Sequence, residues 1–219
     1  ECVELPENSD LCFIGEKSFY NCIFEKITIP ANVDIVGNGW SFYNDHLKEV
    51  YISPNNKHFI CQNNLILYRE NDISDKYDTI FFAHRDIEKV EIPSNIKRIY
   101  KCVFKNCHKL RSVTFAENIR LSQIDDYAFC NTAIRAIKIP KSIKIIGMNA
   151  FYNCSCLSKV EFEENSELCI IDDCAFQSTS ISSIKIPLFV QTINNSAFYN
   201  CCKLESVEFE QNSQLNAIC

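Results

Sequence analysis

Residues 134–157 read IRAIKIPKSIKIIGMNAFYNCSCL, and this stretch decides the fold. It opens with the spacing apolar-x-x-apolar-x-apolar, at Ile134, Ile137 and Ile139. The same spacing begins again at Leu157, 23 residues later. A unit of this length is too short to bury its own apolar residues and has to stack on copies of itself. The stretch therefore predicts one coil of a repeating solenoid.

This apolar spacing recurs along the whole chain. Its middle residues are Val3, Ile27, Val50, Val90, Val113, Ile137, Val160, Ile184 and Val207, with steps of 24, 23, 40, 23, 24, 23, 24 and 23. A longer period of 47 residues separates the Ile-Pro pairs at 92–93, 139–140 and 186–187, so the unit is a pair of unlike coils. A proline directly after a strand fits a strand that stops there.

The repeat predicts a single α/β solenoid over residues 1–219, with about nine coils. Short strands form one parallel ribbon on the concave face, about 4.8 Å apart. Short helical or 3-10 segments are predicted on the opposite side. Two side-chain registers lie between the strands: Phe19, Phe42, Phe104, Phe129, Phe151, Phe176 and Phe198, and, two positions later, Asn21, Asn44, Asn106, Asn131, Asn153, Ser178 and Asn200.

These registers predict an aromatic spine and an asparagine ladder. With only four glycines in the chain, asparagine is expected to supply the left-handed backbone positions of the turns. The asparagine side chains are expected to satisfy turn backbone groups inside the coil. The alternative is that they are solvated loop residues.

The period is broken only between residues 53 and 86. Phe59–Cys61 and Leu65–Tyr68 flank a short polar turn and predict a β-hairpin insertion, with Thr79–Phe82 returning to pair with it. Insertions in solenoids tend to collect on one face. This one either extends a binding surface or merely stiffens the junction.

Composition and charge exclude several functions. The formal net charge is −6 and the charges are interspersed, which argues against a nucleic-acid partner or an anionic membrane surface. No apolar run is long enough for membrane insertion. No glycine-rich phosphate cradle is present. We expect no catalytic residue, no cofactor and no metal.

The 14 cysteines resemble a disulfide framework until the repeat places them. Cys107, Cys154 and Cys201 recur every 47 residues, about 9–10 Å apart in a stack, beyond the 7 Å limit for a disulfide. They are interpreted as buried apolar fillers. Cys107 with Cys130 is the pair to test for a bridge.

Zinc is disfavoured because Cys-x-x-Cys pairs are lacking, and Cys107 and His108 are neighbours that point in different directions. The recurring pairs Asp125-Asp126 and Asp172-Asp173 are expected to cap the short helical segments rather than to form an acid/base pair.

The quoted stretch resembles the treponemal-type leucine-rich repeats of BspA-like surface proteins. The matching residues are Ile134 to Pro140, followed by Ile143, Ile146, Ala150-Phe151 and Asn153-Cys154. The resemblance implies leucine-rich-repeat coils, display at the cell surface or secretion, and non-enzymatic adhesion to host or matrix proteins. The acidic insertions at Glu163–Glu167 and Glu210–Gln214 depart from the pattern and leave the ligand open.

The resemblance makes the strand side chains that alternate with the buried ones the candidate partner-binding surface. The candidates are Tyr51, Tyr68, Glu91, Lys138, Lys159, Glu161, Lys185 and Glu208, with Tyr77 as a further aromatic near the insertion. From Lys138 onward the charges alternate, which predicts a Lys–Glu ladder. The ladder either keeps the sheet soluble or binds a protein ligand from host, matrix or self. Alternatives are a cytoplasmic protein and a scaffold that self-associates end to end.

Overall fold

The computed structural model describes residues 2–7, 9–41, 43–69 and 77–219. Within them the chain forms twenty short strands and no helix: β1 (Cys2–Val3), β2 (Phe13–Ile14), β3 (Lys26–Ile29), β4 (Ile35–Val36), β5 (Glu49–Ile52), β6 (Phe59–Gln62), β7 (Leu65–Tyr68), β8 (Thr79–Ala83), β9 (Lys89–Ile92), β10 (Arg98–Ile99), β11 (Ser112–Phe115), β12 (Gln123–Ile124), β13 (Ala136–Ile139), β14 (Ile145–Ile146), β15 (Lys159–Phe162), β16 (Ile170–Ile171), β17 (Ser183–Ile186), β18 (Thr192–Ile193), β19 (Ser206–Phe209) and β20 (Ala217–Ile218).

The four-residue strands outside the insertion pair in parallel with the register that the repeat predicts. Ile27 lies opposite Val50, Val90 opposite Val113, Ile137 opposite Val160, and Ile184 opposite Val207. These middle residues point into the core, and all but Val207 are at most 8% exposed. The chain is therefore a solenoid of stacked parallel-strand coils, where a coil is the segment from one such strand to the next.

The predicted single ribbon is wrong in one respect. β1, β3 and β5 form one three-stranded sheet, but from β9 onward the hydrogen bonding is interrupted after every second strand. β9 pairs with β11, β13 with β15 and β17 with β19, in separate two-stranded sheets. Within a pair, the amide that follows one strand donates to the preceding coil, as Glu163 N does to Ile139 O at 3.0 Å. Pro140 and Pro187 occupy that position in the alternate coils, and proline has no N–H to donate.

A second line of parallel pairing, not predicted from the sequence, crosses these interruptions. The two-residue strands β12, β14, β16, β18 and β20 form one continuous five-stranded sheet. Ile124, Ile146, Ile171 and Ile193 are its buried positions. Successive coils thus remain hydrogen-bonded to each other even where proline breaks the longer strands.

The predicted helical or 3-10 segments are wrong, since hydrogen-bonded turns take their place. In these turns Tyr127 and Asn131 have φ values of 57° and 59°, and equivalent residues in neighbouring coils are also left-handed. A left-handed residue every four positions cannot continue a right-handed helix. The amides between them donate instead to the next coil: Phe104 N to Ala128 O, and Phe129 N to Ala150 O, both at 2.8 Å.

The aromatic spine is present where the coils are regular. Phe104, Phe129, Phe151, Phe176 and Phe198 stack face to face, with ring centroids 5.0–5.6 Å apart. The first four of these rings are fully buried. Phe19 instead packs edge-on against Phe24 and Trp40. Phe42, also assigned to the spine, lies outside the described residues.

The asparagine register has the predicted backbone conformation but not the predicted side-chain role. Asn131 and Asn153 are left-handed, at 59° and 55°. Their side chains bond to one another along the stack, Asn153 Nδ2 to Asn131 Oδ1 at 2.9 Å and Asn131 Nδ2 to Asn106 Oδ1 at 2.7 Å. This ladder lies at the surface because the following Cys or Thr, not the asparagine, points inward. Asn44 departs from the register, since Tyr43 is the left-handed residue there.

Replacing Asn153 with alanine is expected to lower the free energy of unfolding by about 1–2 kcal/mol. A residue with a Cβ is strained in the left-handed region, and the side-chain hydrogen bond to Asn131 is lost. Asn153→Gly is the matched control, since it loses the same side chain without the strain. Urea unfolding of both variants checks this: equal losses would show that the left-handed conformation contributes nothing.

The insertion is a β-hairpin, as predicted, followed by a third strand. β6 and β7 are antiparallel around Asn63 and Asn64, both left-handed, as a two-residue type I′ turn requires. β8 pairs antiparallel with β7 and parallel with β10, which joins the hairpin to the solenoid. Residues 70–76, between β7 and β8, lie outside the described part of the chain.

The inserted sheet separates two hydrophobic clusters. Leu65 and Leu67 of β7 belong to the cluster that continues to Ala197, whereas Ile66 and Tyr68 belong to the cluster around Trp40. Alternate side chains of a strand point to opposite faces, so β7 buries both faces. Of the two interpretations of the insertion, stiffening of the junction therefore has direct structural support.

Arg85 substitutes for the turn that the inserted coil lacks. Only residues 84–88 separate β8 from β9, too few for a turn like that of residues 100–107. Val103 O is equivalent to Ala128 O, which accepts a hydrogen bond from the Phe104 amide in the turn of the preceding coil. Here the Arg85 guanidinium donates to Val103 O at 2.5 Å and to Ala83 O at 3.1 Å, over the Phe82 ring at 4.3 Å.

The missing turn also brings the flanking turns together. Lys105 is buried and pairs with Asp45 Oδ1 at 2.7 Å. Its ammonium group lies 5.1 Å from the centroid of the Tyr43 ring. These contacts join residues 60 positions apart in the sequence across the inserted coil.

Candidate functional site

The charged candidates lie side by side on exposed strand positions. Lys138 is directly opposite Glu161, and Lys185 directly opposite Glu208, and all four are exposed. The opposing positions agree with the predicted ladder, but these pairs do not close into ion pairs. Glu161 instead pairs along its own strand with Lys159, at 2.7 Å. Glu161 and Lys185 are not paired in this way, because they lie in two separate two-stranded sheets.

Tyr51 belongs to a polar cluster on the strands before the insertion. Its hydroxyl donates to Glu49, which also pairs with Lys26 at 3.1 Å. The Tyr51 hydrogen bond and then Lys26 hold the pKa of the Glu49 carboxyl below its usual range, and the same bond raises the pKa of Tyr51. His84 Nε2 lies 3.0 Å from Val50 O, and its ring meets the Tyr51 ring edge-on. With 45% of Tyr51 exposed, it presents an aromatic face already oriented by its neighbours.

Tyr68 cannot act as an exposed aromatic contact, which corrects its assignment to the partner-binding surface. It is 6% exposed and stacks on Phe59 with ring centroids 4.7 Å apart. The cause is the burial of both faces of β7. Tyr77, at the other end of the insertion, is half-buried, and its hydroxyl donates to Lys57 O at 3.3 Å.

A cleft of about 870 Å³ opens between the hairpin and the concave strands β9 and β11. The hairpin supplies one wall and the strands supply the floor. The wall is lined by Ile60, Gln62, Asn63, Leu65, Leu67 and Tyr77, and the floor by Lys89, Val90, Glu91, Pro93, Ser94, Asn95, Ser112 and Thr114. Of these, Glu91 and Tyr77 were identified from the sequence as candidate contacts.

The hairpin residues that line the cleft, Ile60, Leu65 and Leu67, were missed because no repeat register marks them. Ile60 lies opposite Leu67, and Gln62 opposite Leu65, on one face of the hairpin. The period-two alternation of β6 and β7 shows which residues share a face. It does not show that this face turns toward β9, because that depends on how β8 docks on β10.

The cysteines form no disulfide in the structure. All 14 are free thiols, and Cys107, Cys130, Cys154 and Cys201 are buried. Cys154 Sγ donates to Phe129 O at 3.0 Å and lies 3.2 Å from Thr132 Oγ1. Burial raises the pKa of Cys154 to about 11 and that of Cys130 to about 12, which keeps both protonated and unreactive.

Cys107 and Cys130 occupy different registers, which explains why they are not bridged. Cys107 follows the asparagine position and points inward, like Thr132. Cys130 directly follows the spine residue Phe129, at the position that Lys105 takes one coil earlier.

The paired carboxylates connect coils instead of capping helices, because the described residues contain no helix to cap. Asp126 Oδ1 accepts from Met148 N at 3.1 Å, and Asp173 Oδ1 accepts from Asn195 N at 2.9 Å. No three His, Cys, Asp or Glu side chains gather as a metal site anywhere in ranges 2–7, 9–41, 43–69 and 77–219. Nor does a helix able to cross a bilayer occur in those ranges.

Comparison with solved structures places the same fold in several bacterial proteins. A leucine-rich repeat protein from Eubacterium ventriosum matches 94% of this chain at 22% identity and a TM-score of 0.77. A leucine rich cell surface protein from Faecalibacterium prausnitzii matches 94% at 21% identity and a TM-score of 0.61. The pneumococcal vaccine antigen PcpA matches 87% at 22% identity and a TM-score of 0.54.

This chain spans only part of each of these proteins: 54%, 55% and 41% of their respective lengths. At such identities the likeness shows the fold alone. No curated protein matches the sequence. The family comparison is more specific, because the BspA type leucine rich repeat region, in six copies, matches residues 1–65 and 75–205. With most of the chain matched and the coil geometry described above, the chain belongs to the BspA-type leucine-rich-repeat family.

Proposed function

We propose that this chain is a non-enzymatic protein-binding module of a bacterial surface protein, and that it adheres to a host, matrix or self protein through its concave strand face. The observation that carries the proposal is the row of exposed, opposed charges formed by Lys138, Glu161, Lys185 and Glu208. Such a row offers a protein partner a set of charges at a fixed spacing. We further propose that residues 1–219, with the insertion at 53–86, act as one recognition unit.

Further support comes from side chains that flank this row. Lys159 pairs with Glu161, and the Tyr51 hydroxyl donates to Glu49, so each side chain has a neighbour that favours one orientation. Ordered side chains lose less conformational entropy on binding. Surface display is part of the proposal, and the related fold of a leucine rich cell surface protein from Faecalibacterium prausnitzii is consistent with it.

The test is a charge reversal on the concave face, K138E/E161K/K185E. Binding is measured by biolayer interferometry against a panel of purified matrix and serum proteins and against this chain itself. We expect the affinity for the recognised protein to fall about tenfold or more, because attractive pairs become repulsive. The matched control is K144E/E167K/K203E, which changes the net charge equally at exposed residues away from the concave strands.

Unchanged binding by the concave-face variant, or an equal loss in the control, would contradict the proposal. The alternative of an end-to-end scaffold is tested separately by light scattering after size-exclusion chromatography. A molar mass that rises with concentration in both triple variants alike would favour the scaffold.

A further inference from the structure

We propose that the cleft beside the hairpin binds an extended peptide segment in which apolar residues alternate with charged ones. This inference rests on the proposed protein-binding function and specifies the chemistry of the partner. It is drawn from the unlike wall and floor of the cleft and from two charges on its floor that have no ion-pair partner among the described residues.

The wall and floor of the cleft differ in polarity. The hairpin side is mainly apolar, with Ile60 and Tyr77 backed by the buried Leu65 and Leu67, and with the polar Gln62 and Asn63 beside them. The strand side is mainly polar, with Lys89, Glu91, Ser94, Asn95, Ser112 and Thr114 beside the apolar Val90 and Pro93. Successive side chains of an extended strand point in opposite directions, so one set of alternate residues can contact the hairpin side and the other set the strand side. A segment of alternating apolar and charged residues therefore matches both sides at once.

The floor charges are not paired in the way that the same three residues are paired elsewhere in the chain. Lys-Val-Glu occurs at 89–91 and again at 159–161. In the second copy, Lys159 and Glu161 pair with each other at 2.7 Å. In the first copy, Lys89 and Glu91 are both exposed and neither has an ion pair within 4 Å in the part of the chain that the structure describes.

Lys89 and Glu91, which have no ion pair within the described ranges, define what the bound segment has to carry. Side chains two positions apart on one strand lie about 7 Å apart. An extended peptide has the same spacing, so an acidic and a basic residue two positions apart can pair with Lys89 and Glu91 together. The intervening residue then points to the apolar wall.

The rim of the cleft is held in place before any ligand binds. Asn95 Nδ2 donates to Tyr77 O at 2.6 Å, and the Tyr77 hydroxyl donates to Lys57 O. The first bond joins the Tyr77 backbone to the coil that carries β9, and the second joins the Tyr77 side chain to the start of the insertion. A rim held in this way reduces the entropic cost of closing on a flexible peptide.

Selection from a phage-displayed library of random decapeptides tests the inference. The immobilised wild-type chain is expected to enrich peptides that alternate apolar and charged residues, with an acidic and a basic residue two positions apart. Two enriched peptides are then synthesised, each with its acidic and basic residues also exchanged, and titrated by fluorescence anisotropy. K89E/E91K is expected to weaken the selected peptides about tenfold and to strengthen the exchanged ones.

K144E/E167K is the control, since it exchanges an exposed Lys–Glu pair away from the cleft and the concave strands. It is expected to leave both titrations unchanged. The inference is overturned if no sequence is enriched, if the enriched peptides lack alternation, or if K89E/E91K and K144E/E167K behave alike.

Failure of this inference is distinguishable from failure of the proposed function. If the cleft selects no peptide while K138E/E161K/K185E still loses its protein partner, the concave face is the recognition surface and the cleft is not. If the cleft selects alternating peptides while K138E/E161K/K185E binds its protein partner normally, the recognition surface lies at the insertion. The role proposed for the row of charges is then wrong.

Discussion

Replacing Phe151 with alanine is expected to lower the free energy of unfolding by about 3–5 kcal/mol, the usual cost of removing a buried phenylalanine ring. Phe151 is fully buried and stacks on Phe129 at 5.4 Å and on Phe176 at 5.3 Å. Its loss removes contacts in its own coil and in both neighbours. Urea unfolding followed by circular dichroism measures the effect.

Tyr199→Ala is the control for this substitution, because Tyr199 directly follows the spine residue Phe198 and is 64% exposed. Its expected cost is within about 0.5 kcal/mol. Phe151→Leu keeps most of the apolar volume and is expected to fall between the two. A cost below about 1 kcal/mol for Phe151→Ala would mean that the spine does not hold the coils together.

Replacing Arg85 with methionine is expected to cost about 2–4 kcal/mol, because it leaves Val103 O and Ala83 O without their donor in a partly buried site. The contact with the Phe82 ring loses its cation at the same time. The same denaturation experiment applies. Arg85→Lys is expected to recover part of the loss. An ammonium group can still donate a hydrogen bond, but it lacks the planar set of donors with which the guanidinium reaches both carbonyl oxygens.

Arg120→Met is the matched control for Arg85→Met, since Arg120 is exposed and the chemical change is the same. Equal stability of the two variants would show that no residue has to substitute for the missing turn. A loss confined to Arg85→Met would confirm that the inserted coil depends on this guanidinium.

Much of the fold follows from spacing alone. The 23–24-residue step predicts which residues face one another, and Ile137 opposite Val160 and Ile184 opposite Val207 agree with it. Register can be read from a sequence because every coil repeats the same apolar positions. The predicted hairpin also follows from a local signal, two apolar runs around Asn63 and Asn64.

Other features depend on contacts that spacing does not show. The helical segments were wrong because left-handed residues such as Tyr127, Cys174 and Ser196 share no residue type with the asparagine register. The breaks between strand pairs had a visible cause, Pro140 and Pro187, but proline was interpreted only as the end of a strand. Its missing donor toward the preceding coil becomes apparent once the coils are stacked.

The candidate surface was predictable in part. Alternation along a strand identifies exposed positions, so Lys138, Glu161, Lys185 and Glu208 lie where the pattern indicates. Tyr68 failed because alternation assumes one buried face, whereas β7 lies between two hydrophobic clusters. The cleft could not be anticipated, since it forms between segments whose relative position no repeat encodes.

The most direct test of the stacked-coil account is a set of distances measured by double electron–electron resonance, with spin labels on a genetically encoded non-cysteine residue. One label replaces Glu91, and the other replaces Lys185 or Glu208. At about 4.8 Å for each coil, the account predicts narrow distributions near 19 Å and 24 Å before the label arms are added, one step apart. Broad distributions, or a Glu208 distance no longer than the Lys185 distance, would contradict it.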